Sequence, residues 1–483
     1  MSFTSFTFLF IFFPLVVMGY LLIWFIQRKL NKASTTLCNL YIILASLAFY
    51  AWARVDGVFL FMLYIILVHV MGKCLERYHK NNRTRRKAFV LFNAMLILAG
   101  ILYNYKYYNF TLETLDRIFA KGFESLELII PLGISFITFS SISYIVDIYR
   151  GNSPAGSLMD AALYLTFFPK VVSGPIVLWK DFYPQCQRRH LDDICFMDGL
   201  NRIMIGYAKK VILADTFGAM IEDMQYKMTA GADTPTFWLC ALLYMLEIYY
   251  DFAGYSDIAI GLAKLLGFQF KENFNFPYVS ASITEFWRRW HISLGTWFRE
   301  YIYIPLGGNR KGRCRTLLNL FIVFLVTGIW HGAGWNYIWW GVLNGICVVV
   351  ERCFRDKKFY QKIPYVIKWA VTMFIVLISW ELFRMEDLQD VINFLKMMFG
   401  VTRSEVVNFT YVYYLTPKLI TLAVTGILGA TLLHRMEFQI IRHKMNESKI
   451  LFVLQEVVLF ALMALAVVFM VNSTYSPFIY FQY

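Results

Sequence analysis

The feature that most constrains this chain is the repetition of long apolar stretches carrying almost no charge. The first runs from Phe3 to Ile26 and is followed by Gln27-Arg28-Lys29. Others are Leu37–Trp52, Gly57–Gly72, Ala88–Tyr103, Leu128–Ile148, Ala161–Trp179, Ile203–Met220 and Phe237–Leu265. The last five are Leu317–Trp330, Trp335–Val350, Val366–Leu382, Leu419–Leu433 and Ile450–Val471. An upright membrane helix needs roughly 20 apolar residues, so the shorter stretches are expected to tilt, to use flanking aromatics, or to be re-entrant. One aqueous core cannot hide so much apolar chain. Of 483 residues, 59% are hydrophobic and only 16% charged, against about 25% charge in soluble domains. That balance excludes intrinsic disorder, a collagen-like fibre and a disulfide-stapled secreted domain. The expectation is an all-α polytopic membrane protein with about 11–12 transmembrane or re-entrant helices. The first segment lacks the basic start and small-residue cleavage site of a signal peptide, and reads as an uncleaved helix.

Charge sets the orientation. The net charge of +14 fits the Lys/Arg surplus of cytoplasmic loops better than nucleic-acid binding. Basic clusters lie at residues 27–32 and 73–87, at Arg310–Arg315, at Glu351–Lys358 and at His434–Lys444. Placing all of them in the cytoplasm puts both termini outside. No internal repeat of the kind many transporters show is visible. The eight cysteines form no C-x-x-C pair, and read as small buried hydrophobes. The seven histidines have no H-E-x-x-H spacing, so no bound metal is expected.

Ionisable groups at membrane depth are costly and mark function or buried pairing. They concentrate between residues 247 and 336. Glu247 and Asp251 share a helix face, and Asp257 follows in Tyr250-Asp251-Phe252-Ala253-Gly254-Tyr255-Ser256-Asp257. One reading is structural, with the carboxylates bonded to Tyr hydroxyls or Arg. The run from Ser282 to Trp297 interleaves Trp287, Trp290 and Trp297 with Arg288, Arg289 and His291. Ser282 or Thr284 is placed to cap a helix there. Two readings stand: an amphipathic helix at the lipid interface, or a donor entrance where Arg288 and Arg289 hold phosphates. Further on comes Trp330-His331-Gly332-Ala333-Gly334-Trp335-Asn336. The glycines permit a helix break and a close backbone approach, and such a break is tolerated only within protein or along a cavity. His331 is therefore either a satisfied structural histidine or a reactive one. Its sequence neighbours are small, so His331→Ala is expected to disturb packing little.

Taken in order, these residues resemble the membrane-bound O-acyltransferase family, in its bacterial alginate O-acetyltransferase-like branch. The resemblance covers nearly the whole chain. It is carried by Pro131-Leu132-Gly133-Ile134-Ser135-Phe136, Phe167-Phe168-Pro169-Lys170 with Ser173-Gly174-Pro175-Ile176, and Tyr250–Asp257. The run Glu285–His291, then Tyr303-Ile304-Pro305-Leu306-Gly307-Gly308-Asn309-Arg310 and Trp330-His331-Gly332-Ala333, complete it. It implies a fold with a central funnel or tunnel in a single domain over residues 1–483. Within it, 1–127 would be N-terminal helices, 128–352 the catalytic core, 353–471 C-terminal helices and 472–483 an extracytoplasmic tail. It also implies that His331 matches the family's catalytic histidine and His291 its second, upstream one.

The chemistry fits. Acyl transfer from a thioester to a hydroxyl needs a base titrating near neutrality, which histidine supplies. His331 is expected to be the general base, with His291 a second base or an orienting group. Backbone N–H groups at Gly332–Gly334 are candidates for the oxyanion. No permanently bound cofactor is expected. The donor is acetyl-CoA or an acyl-carrier thioester, and the product is an O-acylated extracytoplasmic polysaccharide. The resemblance implies a partner with a serine-hydrolase-like fold and a bacterial cytoplasmic-membrane location. The alternatives are D-alanyl transfer towards teichoic acid and, in another class, a transporter. The tail ends Phe478-Ile479-Tyr480-Phe481-Gln482-Tyr483. It is either an interfacial aromatic anchor or an acyl relay. The relay reading rests on its resemblance to the tail of the small membrane partner in teichoic-acid D-alanylation, with Tyr480 as the acceptor. A phenol leaves more readily than a sugar alkoxide.

Overall fold

The computed structural model describes residues 1–30, 35–53, 55–126, 128, 130–189, 191–431 and 449–472. Among these, regular structure is helical, apart from one isolated parallel bridge between Ala232 and Phe409. Eight helices are long and apolar enough to cross a membrane. They are Phe8–Lys29, Thr36–Ala53, Val55–Lys80, Thr84–Phe119, Arg313–His331, Trp335–Phe354, Tyr365–Arg384 and Lys449–Asn472. The stretch expected over Leu419–Leu433 appears as a shorter helix, Pro417–Thr431. Only 22% of the apolar window of Phe8–Lys29 and 11% of that of Lys449–Asn472 is buried within the protein. Side chains such as Phe10, Leu22, Phe25, Val453 and Phe460 point outward. Water would penalise that surface, and lipid does not. The chain is a multi-pass membrane protein with an all-α fold.

The described residues form two compact units, Met1–Leu200 with Ala259–Lys271, and Asn201–Ile258 with Glu272–Tyr483. In the first, Val55–Lys80 packs on the helices Thr84–Leu102 and Ile134–Arg150. Two of the sequence motifs build its core. Gly133 precedes Ile134–Arg150 with φ 69°, and a Cβ there would strike the Val171 carbonyl. The Phe168 amide donates to Ser46 Oγ at 3.1 Å, and Lys170 Nζ donates to Ser140 Oγ at 3.0 Å. Tyr144 and Tyr164 each meet Trp179 edge-on, at 4.9 and 5.0 Å.

The second unit is organised around a hairpin of Arg313–His331 and Trp335–Phe354. Gly328 and Gly341 face each other across it: a Cβ on Gly341 would lie 3.2 Å from the Gly328 Cα. The two helices therefore touch backbone to backbone, and nothing larger than glycine fits there. Upstream, the turn Tyr303–Arg310 is closed by Gly307 and Gly308, at φ 107° and 55°. Asn319 Nδ2 ties it to the hairpin by donating to the Gly308 carbonyl at 2.9 Å.

Candidate active site

The Ser282–Trp297 run is not one interfacial helix. It forms two short helices, Ile283–Arg289 and Ile292–Phe298, broken at Trp290 and His291. Ser282 is the cap, accepting from the Glu285 amide at 3.1 Å. The Thr284 amide donates instead to Glu351 Oε2 at 3.0 Å. The physical reason for the break is aromatic burial. Trp290 meets Trp380 at 4.7 Å and Phe286 at 5.6 Å, and is 2% exposed. A surface helix would leave that ring in lipid headgroups.

His291 stands at the break in the left-handed region, with φ 45° and ψ 53°. Non-glycine residues hold that conformation only when their surroundings enforce it. Here the Ile292 amide donates to the Asn273 carbonyl at 2.9 Å. The side chain is held by the same residue, since His291 Nδ1 lies 3.1 Å from Asn273 Oδ1. That oxygen also accepts from the Ser293 amide at 3.2 Å and Ser293 Oγ at 2.9 Å. Asn273 Nδ2 donates to Ser256 Oγ at 3.0 Å, and Phe252 meets the imidazole edge-on at 4.6 Å. Phe252 and Ser256 share one face of their helix, so the Tyr250–Asp257 motif supports His291. The imidazole is outside the eight membrane-length helices, and burial lowers its pKa to about 3. It is neutral at physiological pH, and His291 Nε2 is buried without a hydrogen-bond partner.

His331 ends its helix, and Gly332 and Gly334 are extended, at φ −160° and −157°. Any residue can adopt that backbone. What requires glycine at 332 is space, because a Cβ would run into the Tyr337 ring. The expectation that His331 has small neighbours is corrected by the packing. Its ring meets Trp330 at 5.0 Å, Trp340 edge-on at 5.0 Å and Phe383 edge-on at 5.2 Å. Trp330 is the neighbour in sequence, whereas Trp340 and Phe383 come from the next two helices.

The structure brings both histidines to one cavity of about 170 Å³. His291, His331, Trp287, Thr327, Trp340 and Trp380 are among its walls, and no carboxylate lines it. Trp287 and Trp340 meet edge-on at 5.3 Å, and both indole Nε1 atoms are buried without hydrogen-bond partners. The sequence pointed to Trp287 only as part of its aromatic and basic run, and to neither Trp340 nor Asn273. Nothing in the sequence marks which of 13 tryptophans turns its N–H away from a partner.

The other predicted residues fall elsewhere. Neither Arg288 nor Arg289 lines the cavity. Arg289 Nε donates to Glu285 Oε1 at 3.0 Å and its Nη1 to the Asn275 carbonyl at 3.1 Å, while Arg288 is exposed. Tyr480 lies outside the described residues, as does the whole basic cluster His434–Lys444. All three carboxylates are buried, and Asp251 and Asp257 are paired with lysines as well as arginine. Lys210 Nζ reaches Asp251 at 2.7 Å and also bonds Asp215. Asp257 takes Arg202 at 2.8 Å and Lys209 at 2.7 Å. Lys210 comes from the π-helical turn Ala208–Ala214, whose extra residue the sequence pattern did not signal. The eight cysteines are all free thiols; only Cys38, Cys186 and Cys240 are buried, and Cys74 and Cys314 are exposed. The expectation of buried cysteines thus holds for part of the set. No group of three metal-ligating side chains occurs among the described residues.

The site is a broken helix and a histidine pair at an aromatic cavity in a multi-pass membrane fold. The profile of the membrane-bound O-acyltransferase family matches residues 149–385, and the chain belongs to that family. It is 39% identical to the "Probable alginate O-acetylase" of Pseudomonas aeruginosa over 83% of this chain and 75% of that one. It is 33% identical to the "Peptidoglycan O-acetyltransferase" of Helicobacter pylori, over 82% and 79%. Similarity to the "Teichoic acid D-alanyltransferase" of Streptococcus thermophilus is 33% over 47% of this chain and 58% of that one. The chain is an O-acyltransferase that draws on an acyl donor.

Proposed function

We propose that the protein transfers acetyl groups from acetyl-CoA, taken from the cytoplasm, towards hydroxyls of an extracytoplasmic polysaccharide. The observation that carries this reading is the convergence of His291 and His331 on one aromatic cavity. In the proposed reaction, His331 takes the proton of the attacking hydroxyl as that oxygen bonds to the thioester carbonyl carbon. The C–S bond then breaks, and the proton passes to the departing thiolate. Trp287 and Trp340 N–H groups are the proposed donors to the oxyanion, because desolvated donors act strongly in a dry site. The backbone N–H groups at Gly332–Gly334 are the alternative donors.

Acetyl is favoured over D-alanyl by the cavity wall. An aminoacyl ammonium buried there would lack a carboxylate to offset its desolvation, whereas an acetyl group needs none. The two O-acetyl-transferring relatives, matched over four-fifths of this chain, point the same way. The basic loops support a cytoplasmic donor side with both termini outside, in a bacterial cytoplasmic membrane. An extracytoplasmic serine-hydrolase-like protein is the proposed recipient, with Tyr480 as the relay. The test is reconstitution in proteoliposomes with labelled acetyl-CoA or with D-alanyl carrier protein. Turnover of acetyl-CoA alone supports the proposal, and turnover of the D-alanyl donor alone overturns it.

A further inference from the structure

The two histidines differ in how they are held. His291 is fixed by one residue through main chain and side chain together. Asn273 accepts the Ile292 amide with its carbonyl, and accepts Ser293 N, Ser293 Oγ and the His291 ring with Oδ1. The amide orientation is set by this network. Oδ1 faces two donors of Ser293, and Nδ2 faces the Ser256 hydroxyl. An acceptor opposite His291 Nδ1 requires a proton on Nδ1. The other nitrogen, Nε2, is then a lone-pair acceptor, and it has no partner within the protein.

We propose that Asn273 is a positioning residue that locks His291 in the Nδ1–H tautomer, so that Nε2 accepts a hydrogen bond from the acceptor hydroxyl and aims its oxygen at the acyl carbon. The proposal rests on the acyl-transfer reading above. Burial keeps the ring neutral, which suits orientation more than proton removal, and leaves the latter to His331. Deleting the acceptor at 273 frees the ring to take the opposite tautomer, with Nε2–H turned donor against the hydroxyl. The ring stays packed on Phe252, while the Ser293 amide and hydroxyl lose the same acceptor and the hydroxyl, 3.4 Å from Nδ1, is left to donate to it.

The test uses the full-length protein, labelled with ¹³C,¹⁵N-histidine and reconstituted in lipid. The His291 signals are found by difference from His291→Ala. Wild type is expected to show the Nδ1–H pattern, and Asn273→Asp, which keeps an acceptor, to retain it with much of the activity. Asn273→Leu is expected to lose that pattern and to lower kcat about 10–100-fold, as loss of a histidine's outer partner does at metal sites, with the donor KM unchanged. An Nε2–H pattern in wild type overturns the proposal, as does wild-type kcat in Asn273→Leu. If Asn273→Leu does not accumulate, the wild-type tautomer decides alone. A wild type that shows Nδ1–H but transfers no acyl group from either donor sinks the functional reading and not the tautomer assignment.

Discussion

Replacing His331 separates chemistry from packing, provided the right residue goes in. The ring touches Trp340 and Phe383 edge-on, at 5.0 and 5.2 Å. Edge-to-face aromatic pairs contribute about 0.5–1.5 kcal/mol each beyond area burial, so two amount to about 1–3 kcal/mol. His331→Ala forfeits these and enlarges the cavity beside it, so it should lower the unfolding temperature as well as the rate. His331→Phe keeps a ring of similar shape, with about 170 Å³ of adjoining cavity to take up its extra bulk. General-base removal lowers a rate by about 10²–10⁴, or about 2.7–5.4 kcal/mol at 1.36 kcal/mol per tenfold. The assay is labelled acetyl transfer in proteoliposomes, beside thermal unfolding in detergent followed by tryptophan fluorescence. His331→Phe should melt near wild type with transfer at background. Transfer above about a tenth of wild type in a folded His331→Phe would refute the base assignment. An unchanged melting temperature in His331→Ala would refute the packing argument.

Trp340→Phe and Trp287→Phe keep a ring and delete an N–H; either should lower kcat by about 10²-fold if that donor serves the oxyanion, and unchanged kcat in both returns the role to the backbone. Lys210→Met leaves Asp251 and Asp215 buried without their cation and should destabilise by about 3–5 kcal/mol. Adding Asp251→Asn and Asp215→Asn should restore much of the melting temperature, and failure to do so removes the ion-pair explanation. Arg288→Gln should raise the donor KM if its exposed guanidinium meets phosphates, whereas Arg289→Gln should loosen the Asn273–Asn275 segment and lower stability. Equal effects of the two on KM would contradict that division. Tyr480→Phe removes one hydroxyl and should abolish polymer acylation while leaving acetyl-CoA hydrolysis; full acylation leaves the tail as an anchor.

The membrane class was legible in the sequence because its physics is local. Long apolar runs mark the solvent whatever surrounds them, although which runs stay one helix is decided in the fold, as where Ala161–Trp179 is divided between Leu158–Thr166 and Phe168–Val171. The short motifs were legible for the same reason: Gly133, Gly307 and Gly308 each serve a tight local turn. Ser282 capped its helix because capping is decided within three residues. The site was legible only as two separate histidines. That His291 and His331 share a cavity depends on how the hairpin from Arg313 to Phe354 packs against the broken helix at Trp290. Backbone contact at Gly328 and Gly341 closes the hairpin, and Trp287 against Phe324 and Trp340 seats it on the broken helix. The tautomer of His291 depends on Asn273, 18 residues earlier, and two of the rings around His331, Trp340 and Phe383, lie on helices that follow it. Such contacts are fixed by side-chain volumes meeting in three dimensions, which no periodicity along the chain records. So the sequence determined the solvent the protein lives in and the residues able to do chemistry. The tertiary structure decided which of them meet, because burial of tryptophan against tryptophan broke a helix that the local pattern alone would have continued.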